Sequence, residues 1–267
     1  MIDTHLHLDD EKFSGKTDEF STLAENVIKR FDEYNIEFVI NNSCDMPTMV
    51  AGVNLAEKHD KIFATIGMHP HESKHFNSEF VSAMEKYAKH PKVVAVGEIG
   101  LDYYYDLSDR ITQRDVFAEQ IEIADKLHLP LTLHVRDAYG DAWDILRAQK
   151  KHLNNGVLWH CYSGSAEFAR QMAKEGHYFA FGGAITFKKA NKADVFEQVP
   201  FDRVLSETDS PYMSPEPLRG TVNTPLNIPI IVAKIASFYG KSVEETEAQI
   251  RENTLKLFTK IKVFLSK

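Results

Sequence analysis

The stretch Met1-Ile2-Asp3-Thr4-His5-Leu6-His7-Leu8 decides how the rest of the chain is read. It is short, largely apolar and of β type, and His5 and His7 stand two positions apart. Side chains along a strand alternate, so both imidazoles point to the same side. Similar runs follow at Phe38 to Ser43, Ile62 to Met68, Val93 to Ile99, Pro130 to Val135, Gly156 to His160, Tyr178 to Ile185 and Arg203 to Thr208, making eight candidate strands. Between most of them lie stretches with helical spacing, such as Leu23-Val27-Phe31, Phe80-Met84-Tyr87, Phe117-Ile121-Ala124 and Phe168-Met172.

Runs that are apolar on consecutive positions suit strands buried on both faces. Strand-helix alternation implies parallel pairing through right-handed crossovers. Eight such units in about 250 residues predict a (β/α)8 TIM barrel with its site at the C-terminal face of the strands. An open doubly wound sheet is the alternative. Neither of its glycine-rich nucleotide signatures, G-x-G-x-x-G or G-x-x-x-x-G-K-[ST], follows the first strand. A capping box, Ser242 with Glu245, opens a tail helix whose Ile250, Thr254, Leu257 and Ile261 share one face, expected to pack on the barrel. Residues 1–267 are therefore expected to form a single domain.

The chain has 267 residues, 43% of them hydrophobic, which excludes disorder. Its 31 basic and 39 acidic side chains give a net charge of −8 without a long single-sign block, so no broad basic nucleic-acid surface is expected. The two cysteines, Cys44 and Cys161, lack local partners, which excludes a disulfide framework and a cysteine-rich zinc finger and points to a reducing compartment. No apolar run approaches the ~20 residues of a membrane span, and the first residues lack the basic head and apolar stretch of a signal peptide. The expectation is a soluble cytoplasmic protein with no membrane association and no obligate protein partner.

Ligand-type residues gather at one end of the predicted strands. His5 and His7 lie on the first, Glu98 ends the fourth, His134 the fifth and His160 the sixth, and Asp209 follows the eighth. Taken singly, each is more often a hydrogen-bonded strand end than a ligand. Together, imidazoles and carboxylates buried at a barrel mouth carry a desolvation cost that pairing or a cation offsets, and the set suits Zn, Mn or Fe. Six ligands exceed the four of a closed structural zinc site, so two metal positions with open coordination are expected, with Glu98 the bridging carboxylate.

The chain resembles the TatD family of metal-dependent deoxyribonucleases, a branch of the amidohydrolase-like barrels. The resemblance rests on Asp3-Thr4-His5-Leu6-His7-Leu8, Gly67-Met68-His69-Pro70, Gly97-Glu98-Ile99-Gly100-Leu101-Asp102-Tyr103, His134-Val135-Arg136-Asp137-Ala138, His160-Cys161-Tyr162-Ser163-Gly164, Glu207-Thr208-Asp209-Ser210-Pro211-Tyr212, and Arg219-Gly220 with Asn223 and Pro225. It implies hydrolysis of DNA phosphodiesters, often from single-stranded 3′ ends. The cofactors implied are two divalent ions, Mg2+ or Mn2+ ahead of Zn2+, on those same six ligands. Catalysis is assigned to Asp209 and Glu98, and substrate contact to His69, Arg219 and Asn223. The rival reading is an amidohydrolase-type enzyme acting on a small amide, lactone or phosphoester.

Around the ligands, Arg136 either clamps a phosphate or pairs with Asp137 or Glu207 as a strut, the strut being favoured. Tyr103, Tyr104 and Tyr105, and Phe187 with Lys188, Lys189 and Lys192, could stack bases and attract phosphates on a single strand. His59, His71, His75, His90, His128, His152 and His177 are expected on the surface.

Overall fold

Short strands buried at nearly every position alternate with helices in a computed structural model that describes residues 1–15 and 22–266. The order is β1 (Ile2–Leu6), α1 (Glu11–Ser14), α2 (Leu23–Lys29), β2 (Phe38–Asn41), α3 (Met46–Lys58), β3 (Ile62–Ile66), α4 (Ser78–Tyr87), β4 (Val93–Asp102), α5 (Arg110–Leu127), β5 (Leu131–Arg136), α6 (Tyr139–Ala148) and β6 (Val157–Trp159). Then follow α7 (Ala166–Lys174), β7 (Tyr178–Phe181), α8 (Ala193–Phe196), β8 (Val204–Ser206), α9 (Ile228–Tyr239), α10 (Val243–Leu257) and α11 (Thr259–Leu265). Seven of the helices, α1 to α5, α7 and α10, begin at a side-chain cap. Asp45 and Thr48 form a capping box before α3, and Ser242 and Glu245 form one before α10.

All pairings between consecutive strands are parallel, in the order β1 to β8. The seam between β8 and β1 closes through side chains as well as backbone. The Ser206 hydroxyl donates to the Ile2 carbonyl (2.7 Å), the Thr4 hydroxyl to the Ser206 carbonyl (3.0 Å), and the Thr208 amide to Asp3 Oδ1 (2.9 Å). The result is the predicted (β/α)8 barrel rather than the open sheet.

The core has two parts. The larger fills the space between strands and helices, where Leu6, Val39, Ile66, Val96, Leu133 and Phe179 meet Phe31, Met49, Met84, Phe117 and Leu146. The second joins the strand beginnings, Ile2, Phe38, Phe63, Leu158 and Leu205, to Leu257, Phe258 and Ile261 of the tail. The tail thus packs across the end of the barrel opposite the mouth. Burial of these side chains, at roughly 1.5–3 kcal/mol each, holds the strand ends that present the polar cluster.

Candidate metal centre

The carboxyl ends of the strands carry the polar residues into the mouth. His5 lies one residue before the end of β1 and Asp209 follows β8, and their backbones are pinned together. The Asp209 amide donates to the His5 carbonyl (2.9 Å) and the His7 amide to the Ser210 carbonyl (2.8 Å). Asp209 sits at φ 55°, a left-handed conformation that Asp tolerates better than most residues. Glu98 on β4, His134 on β5 and His160 just past β6 complete the ring.

Glu98 lies at the centre, almost fully buried, and its two oxygens face different partners. Oε2 is 3.3 Å from His5 Nε2 and 3.6 Å from His7 Nε2. Oε1 is 2.8 Å from His134 Nδ1, 3.3 Å from His160 Nε2 and 3.7 Å from His69 Nε2. Asp209 Oδ1 stands 3.7 Å from His7 Nε2 and 4.0 Å from His5 Nε2.

The outer ring nitrogens explain why the inner ones suit a cation. His7 Nδ1 is 3.0 Å from the Asn42 carbonyl, His160 Nδ1 is 3.1 Å from Glu207 Oε2, and His134 Nε2 is 2.9 Å from Asp102 Oδ2. A carbonyl accepts only, and so does a carboxylate, so in the neutral rings of His7 and His160 the outer nitrogen carries the proton and the inner one keeps its lone pair, whereas His134 lies between two carboxylates and frees its inner Nδ1 (2.8 Å from Glu98) only when a cation replaces that proton. That is how metal-binding imidazoles are oriented. His5, stacked on His160 with centroids 3.5 Å apart, keeps a buried Nδ1 without a hydrogen-bond partner. Spacings of 3.3–4.0 Å around His5, His7, Glu98 Oε2 and Asp209 bracket the ~3.4 Å edge of a tetrahedron of ligands ~2.1 Å from an ion.

The electrostatics agree with this fit. Burial pushes Glu98 up, but the imidazoles of His5, His160 and His69 outweigh it and hold the carboxyl well below its usual range. Burial would lower His160, yet Glu207 and Glu98 raise it to about 10. Burial raises Asp209 to about 6 against the pull of His160 and His7. Burial and the neighbouring His160 push His5 well down. Carboxylates this dense draw positive charge into the mouth, which a protonated His160 or a bound cation can supply.

A family model described as TatD related DNase matches residues 2–259. The chain belongs to the TatD family. YabD of Bacillus subtilis, named an uncharacterized metal-dependent hydrolase, is 36% identical over 259 residues, which is 97% of this chain and 98% of that protein. YcfH of Escherichia coli, named in the same way, is 32% identical over 260 residues, 97% and 95% of the two chains. The crystal structure of YjjV, a TatD homologue from Escherichia coli, matches with a TM-score of 0.87 at 28% identity, over 97% of this chain and 98% of that one. The protein is therefore a metal-dependent hydrolase of the TatD family.

Several expectations change on this TatD barrel. β4 runs on past Ile99 to Asp102, so Glu98 is inside the strand and Asp102, four positions on, also reaches the mouth. His71, expected at the surface, donates from Nε2 to Asp102 Oδ2 (3.0 Å) and lines the mouth. His177, also expected outside, is buried at 5% exposure and accepts from Trp159 Nε1 (3.0 Å). Arg136 is no strut to Asp137 or Glu207: its guanidinium carbon lies over the rings of Tyr104 and Tyr105, at 3.8 and 4.9 Å from their centroids.

Asn223 is fully buried. Its amide donates to the Thr208 and Tyr212 carbonyls (2.8 and 2.7 Å), and its oxygen accepts from Thr224 and Asn227. With donors and acceptor committed, it braces the β8–α9 loop instead of touching substrate. Arg219 is exposed, 4.5 Å from the Phe187 ring centroid. His69 is buried beside Glu98, with Nδ1 accepting from the His71 amide (3.2 Å), so its proton lies on Nε2, which faces the cluster.

Sequence reasoning missed Glu207, Asp102 and Asp3. Glu207 holds both His160 and the Cys161 amide (2.6 Å), and Asp3 holds the Thr208 hydroxyl (2.5 Å). The signal for two of them was in plain view. Glu207 and Asp209 stand two apart at a strand end, as His5 and His7 do, and Glu98, Gly100 and Asp102 alternate along β4.

Proposed function

We propose that this TatD-family hydrolase cleaves DNA phosphodiester bonds at two divalent cations, Mg2+ or Mn2+ ahead of Zn2+, removing nucleotides from single-stranded 3′ ends. The observation that carries the reading is Glu98. Its Oε2 faces His5 and His7 while its Oε1 faces His134 and His160, so one carboxylate has a place in two ligand groups.

Bound there, the cations supply Lewis-acid polarisation of a phosphoryl oxygen and acidify an attacking water. The chain's own groups do the rest. Asp209, raised to about 6 by burial, stands at the edge of the ring where it orients the water and takes its proton. His69 turns an Nε2–H toward the centre and donates to a non-bridging oxygen. Glu207 and Asp102 keep His160 and His134 from turning away. At the rim, Arg219, Lys188 and Lys189 are exposed cations that offset the chain's net negative charge locally.

The mouth cavity of about 460 Å3, lined by His7, His69, Glu98, His134 and Tyr212 among others, takes a strand end more readily than a rigid duplex. The test is a digestion panel on chelated and metal-restored protein, using end-labelled single-stranded DNA, duplex DNA, RNA and a set of small amides and lactones. The proposal expects metal-dependent shortening of single-stranded DNA from the 3′ end. Turnover of an amide or lactone with intact DNA would overturn it.

A further inference from the structure

A second cavity of about 300 Å3 opens from the same cluster, on the side of the β5–β8 loops. It shares His134, Arg136, His160, Asp209 and Met213 with the mouth. Its wall is apolar, made by Val135, Tyr162, Phe181, Ala184 and Ile185. Tyr162 is held in place, its hydroxyl donating to the Ser165 carbonyl (2.7 Å) and its ring standing edge-on to Phe181. On the rim, Lys192 Nζ reaches the Ser163 carbonyl (3.1 Å).

Arg136 forms the ridge between the two cavities. It is half-buried, and no side-chain hydrogen bond or carboxylate partner is found for its guanidinium among the described residues. The rings of Tyr104 and Tyr105 hold it instead. A guanidinium held over aromatic faces by cation–π attraction has none of its N–H groups used up, which leaves them for a bidentate anion. A free, oriented Arg beside carboxylate-rich ligands has no partner to neutralise within the protein, so its partner is an anion brought by the substrate. The neighbouring cavity offers that same substrate a flat apolar seat.

We propose that this second cavity is a nucleoside subsite and that Arg136 is the residue that holds the phosphate joined to that nucleoside. The inference rests on the phosphodiesterase reading above and adds to it the seat of the terminal nucleotide. A small amide or lactone would use neither feature. Because Arg136 covers one face of each tyrosine, the seat for a base is the cavity rather than Tyr104 or Tyr105.

The experiment compares the metal-loaded wild type with Ala184→Phe, which places a ring in the cavity from a half-buried position, and with Arg136→Gln, which keeps a planar group but removes the charge. Kinetics are read on a single-stranded oligonucleotide and on methyl 4-nitrophenyl phosphate, a diester without a nucleoside. Equilibrium titrations use deoxyadenosine 5′-monophosphate and deoxyadenosine, and metal content is measured in every variant.

Ala184→Phe is expected to lower the preference for oligonucleotide over the small diester at least tenfold, through KM, and to weaken deoxyadenosine monophosphate binding at least tenfold. Arg136→Gln is expected to lose at least tenfold of the wild type's preference for the monophosphate over deoxyadenosine, the remainder being held by the cations. An unchanged substrate preference in Ala184→Phe, or an undiminished wild-type preference for the monophosphate over deoxyadenosine in Arg136→Gln, would overturn the subsite. If the wild type cleaves neither diester, the phosphodiesterase reading fails by itself. The titrations then still decide, since absent or variant-insensitive monophosphate binding removes the subsite as well. Should Ala184→Phe not fold, Arg136→Gln carries the test alone.

Discussion

Glu207→Gln probes the metal centre without touching an inner nitrogen. The Glu207 carboxylate accepts from His160 Nδ1 (3.1 Å) and from the Cys161 amide (2.6 Å), and it has no exposure to solvent. Glutamine is nearly isosteric but has one accepting oxygen. Cys161 sits at φ 44°, and its amide proton cannot be reversed, so the glutamine oxygen stays with it and the amide NH2 faces His160. His160 Nδ1 must then accept. The ring proton moves to Nε2, the nitrogen 3.3 Å from Glu98 Oε1, and the lone pair directed at the cluster is lost.

Changes to such supporting partners weaken metal affinity by roughly 10–100-fold, or about 1.4–2.7 kcal/mol. Metal-free protein titrated with Mn2+ or Zn2+ against a competing chelator measures this. The expected result is one binding step weakened by that factor while the other is little changed, with the urea midpoint of the metal-free protein within the range of a single buried hydrogen bond, about 1–3 kcal/mol. Two wild-type affinities in Glu207→Gln would refute the argument that this carboxylate sets the His160 tautomer.

Asp209→Asn keeps the shape of the side chain but not the proton acceptor. The fold is expected to persist and cleavage of single-stranded DNA to fall at least a hundredfold, as read by initial rates at saturating metal. Replacing Lys188, Lys189 and Arg219 together with Gln is expected to weaken DNA binding uniformly across sequences and to flatten its salt dependence, with kcat little changed. His177 gives a pH prediction. Burial lowers it to about 4, so the folded state favours the neutral ring, and its contribution is fully present above the unfolded value near 6.5 and is lost as pH falls toward 4. At pH ~4.5 the loss is about 2.5 kcal/mol. Urea midpoints at pH ~7.5 and ~4.5 should therefore differ less in His177→Gln than in the wild type by roughly that amount.

The convergence of the candidate ligands was legible because parallel strands turn a sequence pattern into a place. Once eight β/α units are recognised, every polar residue at a strand's carboxyl end converges on one mouth, and His5, His7, Glu98, His134, His160 and Asp209 follow without knowledge of long-range contacts. What stayed hidden depends on where strands stop and which atoms face which. Gly100 interrupts the apolar run of β4, so Asp102 read as loop although the backbone remains paired with β5 as far as Arg136. His71 sits in a short 3-10 turn after β3, where no periodicity marks the inward side. Arg136 has acidic neighbours in sequence but aromatic ones in space. Asn223 looks like a free loop amide until the loop folds back on Thr208 and Tyr212.

The central claim is that hydrolysis runs on two cations sharing Glu98. It is tested most directly by titrating metal-free protein with Mn2+ while bound metal per chain and cleavage of an end-labelled single-stranded oligonucleotide are followed in the same samples. The account predicts that cleavage appears only as the second equivalent binds, and that Glu98→Gln binds fewer than two and stays inactive. Full cleavage at one equivalent, or two tightly held equivalents in Glu98→Gln, would contradict it.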